Sequence, residues 1–470
     1  MRTWFYSFAL LICAGCNLEP RYRTPCMEMP CAWRIESDLS STYANARWWE
    51  ELDDPILNAL ILEALANNND LKVAVARVCE FFARYQVVSS QLWPQISLSG
   101  TALKEKIPQK TTALPPGFDP ITPFYAYQFT LAYEIDFWGK IRSEAHSAYA
   151  EALASIENRR TVVLTLVGAV AEAYVTLRQL DRELEISQAT LAERKEYLRL
   201  ANLRFEGGLT SEIEVVQAAA IYDQSLADVT FIEELIPQQE NLISVLVGTN
   251  PTCILRGNTI SSMKPPPDVP TGLPSELLLR RPDIRAAEDL LIAANAQIGA
   301  ARAAFFPQIS LTGLFGGESF ELKSLFSSAS RAWHIGATFM QPIFTGGKLR
   351  GQLNIACAEQ QQALYSYAQT VLNAFKEVED ALIAYTQQKK LITIQEAKVK
   401  ETRAYLHLSW LRYYNGQTDY LTVLDAEREL YGTLIDLTRA QGNTLTALID
   451  LYKALGGGWV IDADCCLQPH

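Results

Sequence analysis

Residues 94–100 read Pro94-Gln95-Ile96-Ser97-Leu98-Ser99-Gly100, and residues 307–313 read Pro307-Gln308-Ile309-Ser310-Leu311-Thr312-Gly313. One alternating phrase is thus written twice, 213 positions apart. At the same offset Asp70-Leu71-Lys72 meets Asp283-Ile284-Arg285. Further on, Gly139-Lys140-Ile141-Arg142 meets Gly347-Lys348-Leu349-Arg350 at an offset of 208, so the loop between is five residues shorter in the second copy. Arg204-Phe205-Glu206-Gly207-Gly208-Leu209-Thr210 then meets Arg412-Tyr413-Tyr414-Asn415-Gly416-Gln417-Thr418, again at 208. Two halves of about 200 residues follow one plan.

The first half, 54–263, predicts a helix over 70–92, strands over 95–103 and 125–136, a long helix over 140–204 and a helix over 211–247. The second, 275–456, predicts a helix over 282–305, strands over 308–315 and 333–343, a long helix over 347–413 and a helix over 419–454. Residues 264–274, with Pro265-Pro266-Pro267, form a stiff linker between them. Residues 16–53 precede the first half as an N-terminal segment, and 457–470 trail the second.

No proline lies between Pro123 and Pro237, or between Pro342 and Pro469. Leu166, Val170, Ala173, Leu177, Leu180 and Leu184 step by three and four, as do Leu364, Ala368, Val371, Phe375, Val378, Leu382 and Tyr385. This is the spacing of a coiled-coil seam. A helix from Lys140 to Arg204 would be roughly 100 Å long at the usual rise per residue. No ordinary globular core needs such a helix, so it must line something elongated.

The short segments alternate with period two. Ile96, Leu98 and Ala102 oppose Ser97, Ser99 and Thr101; Tyr127, Phe129, Leu131, Tyr133 and Ile135 oppose Gln128, Thr130, Glu134 and Asp136. In the second half Ile309, Leu311 and Phe315 oppose Gln308, Ser310 and Thr312, while Trp333, Ile335, Ala337, Phe339 and Ile343 oppose His334, Thr338 and Met340. Such strands suit a membrane crossing of about 9 to 11 residues, and a soluble antiparallel sheet on a helical core is the alternative. Four strands cannot close a barrel, and open edges are not tolerated in lipid. Eight strands from two chains would fill their own interior, so a conduit requires at least three chains and twelve strands.

Length alone suggests about three domains at roughly 150 residues each, an estimate the duplication replaces with two halves. With 49% hydrophobic and 20% charged residues the chain is too apolar for disorder. The balance of 41 basic against 53 acidic residues, net −12, argues against a nucleic-acid partner. His146, His334, His407 and His470 have no metal-ligand spacing, and no phosphate-binding loop or credible triad is present. The expectation is therefore no catalytic residue, no metal and no cofactor. The apolar run Val162 to Leu177 is broken by Glu172, which disfavours a membrane-crossing helix but not a barrel.

Residues 1–15, MRTWFYSFALLICAG, have the layout of a short secretory signal. They end in Cys13-Ala14-Gly15-Cys16, which resembles the bacterial lipoprotein signal, with Cys13 where Leu is usual. That resemblance makes Cys16 the acylated residue, and Asn17 after it favours the outer membrane; an ordinary signal cut elsewhere is the alternative. Of nine cysteines, Cys26, Cys31, Cys79, Cys253, Cys357, Cys465 and Cys466 would remain. Cys26 and Cys31, or Cys465 and Cys466, have the opportunity to pair in an oxidising periplasm, and Cys79 and Cys357 read as buried thiols on helices.

At this point the chain resembles the outer-membrane efflux protein family, and within it the lipoprotein branch serving resistance-nodulation-division transporters. The resemblance rests on Trp48-Trp49 with Asp54-Pro55, the run Ala64 to Arg77, Tyr133-Glu134-Ile135-Asp136-Phe137-Trp138-Gly139, Arg280-Arg281-Pro282-Asp283-Ile284 and Phe306-Pro307-Gln308-Ile309. It implies a mixed, mainly α fold: a homotrimer whose 12-stranded outer-membrane β-barrel, four strands per chain, continues into a long periplasmic α-helical barrel. Residues 16–53 would join an equatorial wrap. The turns with Gly208, Leu209 and Thr210, and with Gly416, Gln417 and Thr418, would dock a periplasmic adaptor. There Gly allows the tight turn, Leu209 would be an apolar knob and Thr210 an N-cap-like hydroxyl.

The resemblance also implies a periplasmic gate from Leu421, Asp425 and Arg428, spaced four and three apart on one helix face, with Tyr413 and Glu214 linked to it. Arg428 would pair with a neighbouring chain; a solvated surface ion pair is the plainer alternative. The implied activity is passive conduction of drugs or other small molecules from an inner-membrane transporter and adaptor, through outer-membrane lipid. An exit duct for type I protein secretion and a soluble periplasmic coiled-coil scaffold are the competing functions. For the anchor, Cys16→Ser is expected to abolish incorporation of labelled palmitate while leaving the trimer intact; persistent labelling would refute it.

Overall fold

The computed structural model describes residues 17–27, 30, 33–34, 47–106, 108, 120–263 and 274–456. Cys16, the signal segment, Cys31, the linker prolines and Cys465-Cys466 lie outside the described residues. The chain divides into two units, the first from the described parts of Met1–Cys26, Arg77–Ile156 and Ala286–Ala368, the second from those of Met27–Ala76, Glu157–Arg285 and Gln369–His470.

In chain order the helices are α1 (Pro55–Asn67), α2 (Asn69–Ser89), α3 (Lys140–Glu206), α4 (Glu212–Val247), α5 (Pro274–Arg280), α6 (Pro282–Ala303), α7 (Lys348–Tyr414) and α8 (Tyr420–Ala454). The strands are β1 (Gln95–Lys106), β2 (Ile121–Glu134), β3 (Gln308–Ser319) and β4 (Arg331–Met340).

The first unit holds one antiparallel sheet in the order β1-β2-β3-β4. Its register gathers the alternating apolar residues on one face. Leu98 pairs with Phe129, Phe129 with Phe315 and Phe315 with Trp333, making a row across all four strands. Ile96, Leu131, Gly313 and Ile335 make the next row on that face. The rows are open to their surroundings: Leu98 is 63%, Phe315 54%, Trp333 72% and Ile335 83% exposed. A face this apolar and this exposed cannot be the final surface of a water-soluble sheet. The other face carries Ser97, Ser99, Gln128, Thr130, Thr312 and Thr338, and there Gln128 donates to Glu318 at 2.8 Å.

The strand ends differ from expectation, each for a local reason. β1 runs on to Lys106 and β3 to Ser319, while β2 starts earlier, at Ile121. Pro123 is accepted because it lies beyond Tyr125↔Ser319, the last pair with β3, so its missing N–H breaks no ladder on that side. β2 stops at Glu134 because Asp136 turns to begin α3, accepting from Ile141 N at 3.1 Å and Arg142 N at 2.9 Å. β4 ends at Met340, ahead of Pro342, leaving Ile343 outside the strand.

The second unit holds the seams except at the start of the second one, where Leu364 and Ala368 belong to the first unit. Val170, Leu177, Val371 and Val378 are each at most 1% exposed, whereas Leu184 and Leu364 are half-buried. Full burial of one such aliphatic side chain contributes about 1.5–3 kcal/mol. By length and composition a stretch of α3 would suffice to cross a membrane, but 61% of that window is buried inside the protein, as in a core helix. The expected helix over 70–92 is in fact the second of two. Buried Asn68 ends α1 and begins α2, accepting from Leu71 N at 2.9 Å while donating to Leu246 O at 2.8 Å. Cys79 is exposed and Cys357 half-buried, contrary to the buried thiols expected.

Two motifs prove to be knots. Asp54 is fully buried and caps α1, accepting from Ile56 N at 2.9 Å and Leu57 N at 3.1 Å, with Pro55 at the first helical position. The same carboxylate accepts from Tyr174 Oη at 3.1 Å and Asn258 N at 2.8 Å, so four donors converge on it. Arg281 is 7% exposed and donates to Ala454 O at 3.0 Å, and to Asp283 and Glu377 at 2.6 Å each. The doublet Trp48-Trp49 is buried, and Trp48 stacks on Tyr452 at 5.4 Å. Asp54→Ala is expected to cost about 2–4 kcal/mol, since it removes a cap and strands the Tyr174 hydroxyl and the Asn258 amide. A fall in the denaturation midpoint checks it, and an unchanged midpoint would contradict the knot.

Candidate functional site

The predicted gate and docking residues fall on α4, α7, α8 and the two turns that join α3 to α4 and α7 to α8, all within the second unit. Two turns of matching geometry join these helices. Gly208 at φ +70 and Gly416 at φ +68 adopt the left-handed conformation that ends α3 and α7. Leu209 N donates to Arg204 O at 2.8 Å, and Gln417 N to Arg412 O at 2.9 Å. Leu209 is 74% exposed and carries the apolar tip, while Gln417 is exposed and polar. The cap of α4 is Ser211, not Thr210; Ser211 Oγ accepts from Ile213 N at 3.3 Å. The Thr210 hydroxyl instead donates to the Glu214 carboxylate. α8 is capped by Asp419, and the Thr418 hydroxyl bonds that of Thr422 at 2.8 Å.

Glu214 is the hub of the first turn. Its Oε1 accepts from Tyr197 Oη at 2.8 Å and from Tyr413 Oη at 3.3 Å, and its Oε2 from Thr210. Arg204 donates to Tyr413 Oη and lies 5.3 Å from the centre of that ring. Tyr413 and Glu214, 199 residues apart, are thus brought together. Beneath them Tyr197 stacks on Tyr420 at 3.3 Å, within a core of Ala201, Ala218, Val423 and Leu424. Burial first, then the bond to Glu214, holds the Tyr197 phenol well above its ordinary pKa, so it stays a donor.

Leu421, Asp425 and Arg428 share a face of α8, and Leu421 is 59% exposed. Arg428 Nη2 donates to Asp425 Oδ1 at 2.9 Å within the chain, with side chains 81% and 54% exposed. A pair so exposed contributes only about 0–1 kcal/mol and is easily exchanged for another partner. Tyr405 Oη of α7 stands 3.5 Å from the other Asp425 oxygen. All three residues line a cavity of about 470 Å³ bounded by α3, α4 and α8. No group of three His, Cys, Asp or Glu fit to hold a metal lies among the described residues.

Three participants escaped the sequence reading. Tyr197 and Arg204 complete the Glu214 network, and Tyr405 reaches Asp425. The repeat offset of 208 carried a usable signal, because it superposes Tyr197 on Tyr405. Each of these tyrosines donates to a carboxylate on the helix that follows in its own half.

The profile of the outer membrane efflux protein family matches residues 60–249 and 273–457. The chain is 36% identical to the solvent efflux pump outer membrane protein SrpC of Pseudomonas putida, covering 97% of this chain and 98% of that one. Its fold is similar to the CmeC outer membrane channel of Campylobacter jejuni, with a TM-score of 0.87 and 26% identity over 94% of this chain and 95% of that one. It is also similar to the open state of the MtrE outer membrane channel of Neisseria gonorrhoeae, with a TM-score of 0.85 and 31% identity over 94% of this chain and 99% of that one. Glu214→Ala, which strands three hydroxyls, is expected to raise local opening of the α3–α4 turn by about 1–3 kcal/mol. Lost amide-exchange protection over 197–218 checks it, and unchanged protection would contradict the hub.

Proposed function

The chain belongs to the outer membrane efflux protein family and is an outer-membrane exit duct of an efflux pump; from that premise we propose how its residues serve the duct. Three chains associate as a homotrimer, so that their strands close one twelve-stranded barrel with the row Leu98, Phe129, Phe315 and Trp333 toward lipid. That exposed row, continuous across four strands, is the observation that carries the reading. Lipid accepts such a face where water does not. It also disfavours a soluble coiled-coil scaffold. Acylated Cys16 anchors each chain to the outer membrane, a reading supported by Cys13-Ala14-Gly15-Cys16.

The duct is passive. Small molecules reach it from an inner-membrane transporter of the resistance-nodulation-division type through a periplasmic adaptor, and the duct needs no catalytic residue. The adaptor docks at the turns holding Gly208, Leu209 and Thr210 and Gly416, Gln417 and Thr418. The exposed Leu209 supports an apolar contact at the first turn, and the exposed Gln417 a polar one at the second. Asp425, Arg428 and Leu421 form the gate, with Tyr413 and Glu214 holding the neighbouring turn. The gate reading is supported by the weakness of the Asp425–Arg428 pair, whose exposed groups are free to switch to a neighbouring chain. Three Asp425 carboxylates around a common axis would favour cations when the gate opens.

Asp425→Ala is expected to raise single-channel conductance in planar bilayers severalfold and to admit vancomycin-sized solutes into cells. Unchanged conductance would count against Asp425 as a gate.

A further inference from the structure

The charged side chains of the four strands are sorted by face. Gly100 pairs with Tyr127, Tyr127 with Gly317 and Gly317 with Arg331. Arg331 therefore stands on the apolar face, one row beyond Leu98, Phe129, Phe315 and Trp333. Lys104 and Lys106 share the parity of Ile96 and Leu98 on β1, so they stand on that face too. Glu105, Glu134 and Glu318 all fall on the opposite face, with Gln128. All three cations of the strands thus lie on one side and all three carboxylates on the other. The three cations also gather at the end of the sheet away from α2 and α3, where β1 finishes and β4 begins. Their side chains are exposed and make no ion pair or hydrogen bond among the described residues. A rim that met only water would serve equally well with both signs interspersed.

The apolar face next to these cations is shaped for a chain. Gly313 places no side chain between Leu131 and Ile335, and a shallow cavity of about 380 Å³ lies over it, lined also by Ile96, Phe315 and Trp333. Arg331 is two residues from Trp333, about 7 Å along β4. The loop after β3 folds over the same face: Phe326 stacks on Tyr127 at 5.1 Å, and Leu325 is buried. Gly317 permits this, since a Cβ there would stand 2.8 Å from Leu325 O. Tyr127, Phe326 and Trp333 thus form an aromatic edge beside the cations, the place such rings take at a membrane boundary.

We propose that this rim binds a phosphate-bearing lipid of the outer leaflet: Lys104, Lys106 and Arg331 hold its phosphates, and an acyl chain lies in the cavity over Gly313. That the apolar rows face lipid is the reading on which this rests. Closing the ring sets β4 of one chain beside β1 of the next, which brings Arg331 and the two lysines to one joint. Arg331 offers a planar fork of donors that matches phosphate, and the lysines add point charge. A lipid held there touches two chains at once.

The test titrates the full-length trimer in detergent with fluorescent diphosphoryl lipid A and with its dephosphorylated form. Wild type is expected to prefer the phosphorylated form, and the preference to shrink as salt is added. Lys104→Gln, Lys106→Gln and Arg331→Gln combined are expected to weaken its binding roughly 100-fold at low salt, at about fivefold per cation. Equal binding of the two forms, or a combined variant that binds as wild type does, overturns the rim site. Release of the bound lipid by millimolar inorganic phosphate also overturns it, because the site would then serve a free anion. Quenching of Trp333 by brominated phospholipid in vesicles, read as the difference from Trp333→Phe, checks the apolar face and the insertion of each variant. Quenching without a preference for the phosphorylated lipid sinks the rim site and leaves the lipid-facing rows standing, whereas absent quenching sinks both.

Discussion

A backbone edge cannot be left open in lipid. Each unpaired N–H or C=O placed there costs several kcal/mol, because no water is present to bond it. The four-stranded sheet of this chain ends in β1 on one side and β4 on the other, and its apolar face is exposed from Leu98 through Trp333. One chain cannot satisfy both conditions, since four strands cannot curl into a barrel. The constraint therefore reaches outside the chain and makes association part of the fold. It also explains why the sheet buries so little of itself: β1 and β4 contain no buried residue, so their apolar side chains find their environment only in an assembly within a membrane.

Helices of 67 residues pose the complementary problem. A long helix is held by its neighbours rather than by propensity, and its backbone cannot fold back to bury its flanks. The second unit answers with point fastenings. The Asp54 carboxylate gathers α1, Tyr174 of α3 and the loop at Asn258. Arg281 gathers the start of α6, Glu377 of α7 and the end of α8. Arg256 gathers Asp181 and Glu240. Each is a charged group whose donors or acceptors are nearly all spoken for, which is the condition under which buried charge stabilises.

Much of this was legible in the sequence, and what was not has a physical reason. Period-two alternation found the apolar face of every strand, because side-chain direction in a strand is fixed by parity alone. Strand ends were less legible, since they depend on partners: β3 supports β2 only as far as Tyr125. The break at Asn68 was invisible because Asn68 is held by the carbonyl of Leu246, 178 residues away. Thr210 and Ser211 are both able caps, and only the backbone decided that Ser211 caps and Thr210 serves Glu214. That Leu421, Asp425 and Arg428 share one face of α8 was legible from their spacing of four and three.

The two halves also diverge where they matter most. Stepping back by 208 from Leu421, Asp425 and Arg428 gives Ile213, Gln217 and Ala220, so the charged set exists only in the second half. Stepping forward from Glu214 gives Thr422, so the carboxylate hub exists only in the first. A duplicated chain thus has one half that braces and one half that carries exposed, exchangeable charge. In a ring of three chains, braced and charged hairpins would alternate. The divergence at these few positions gives two copies of one repeat different surface chemistry.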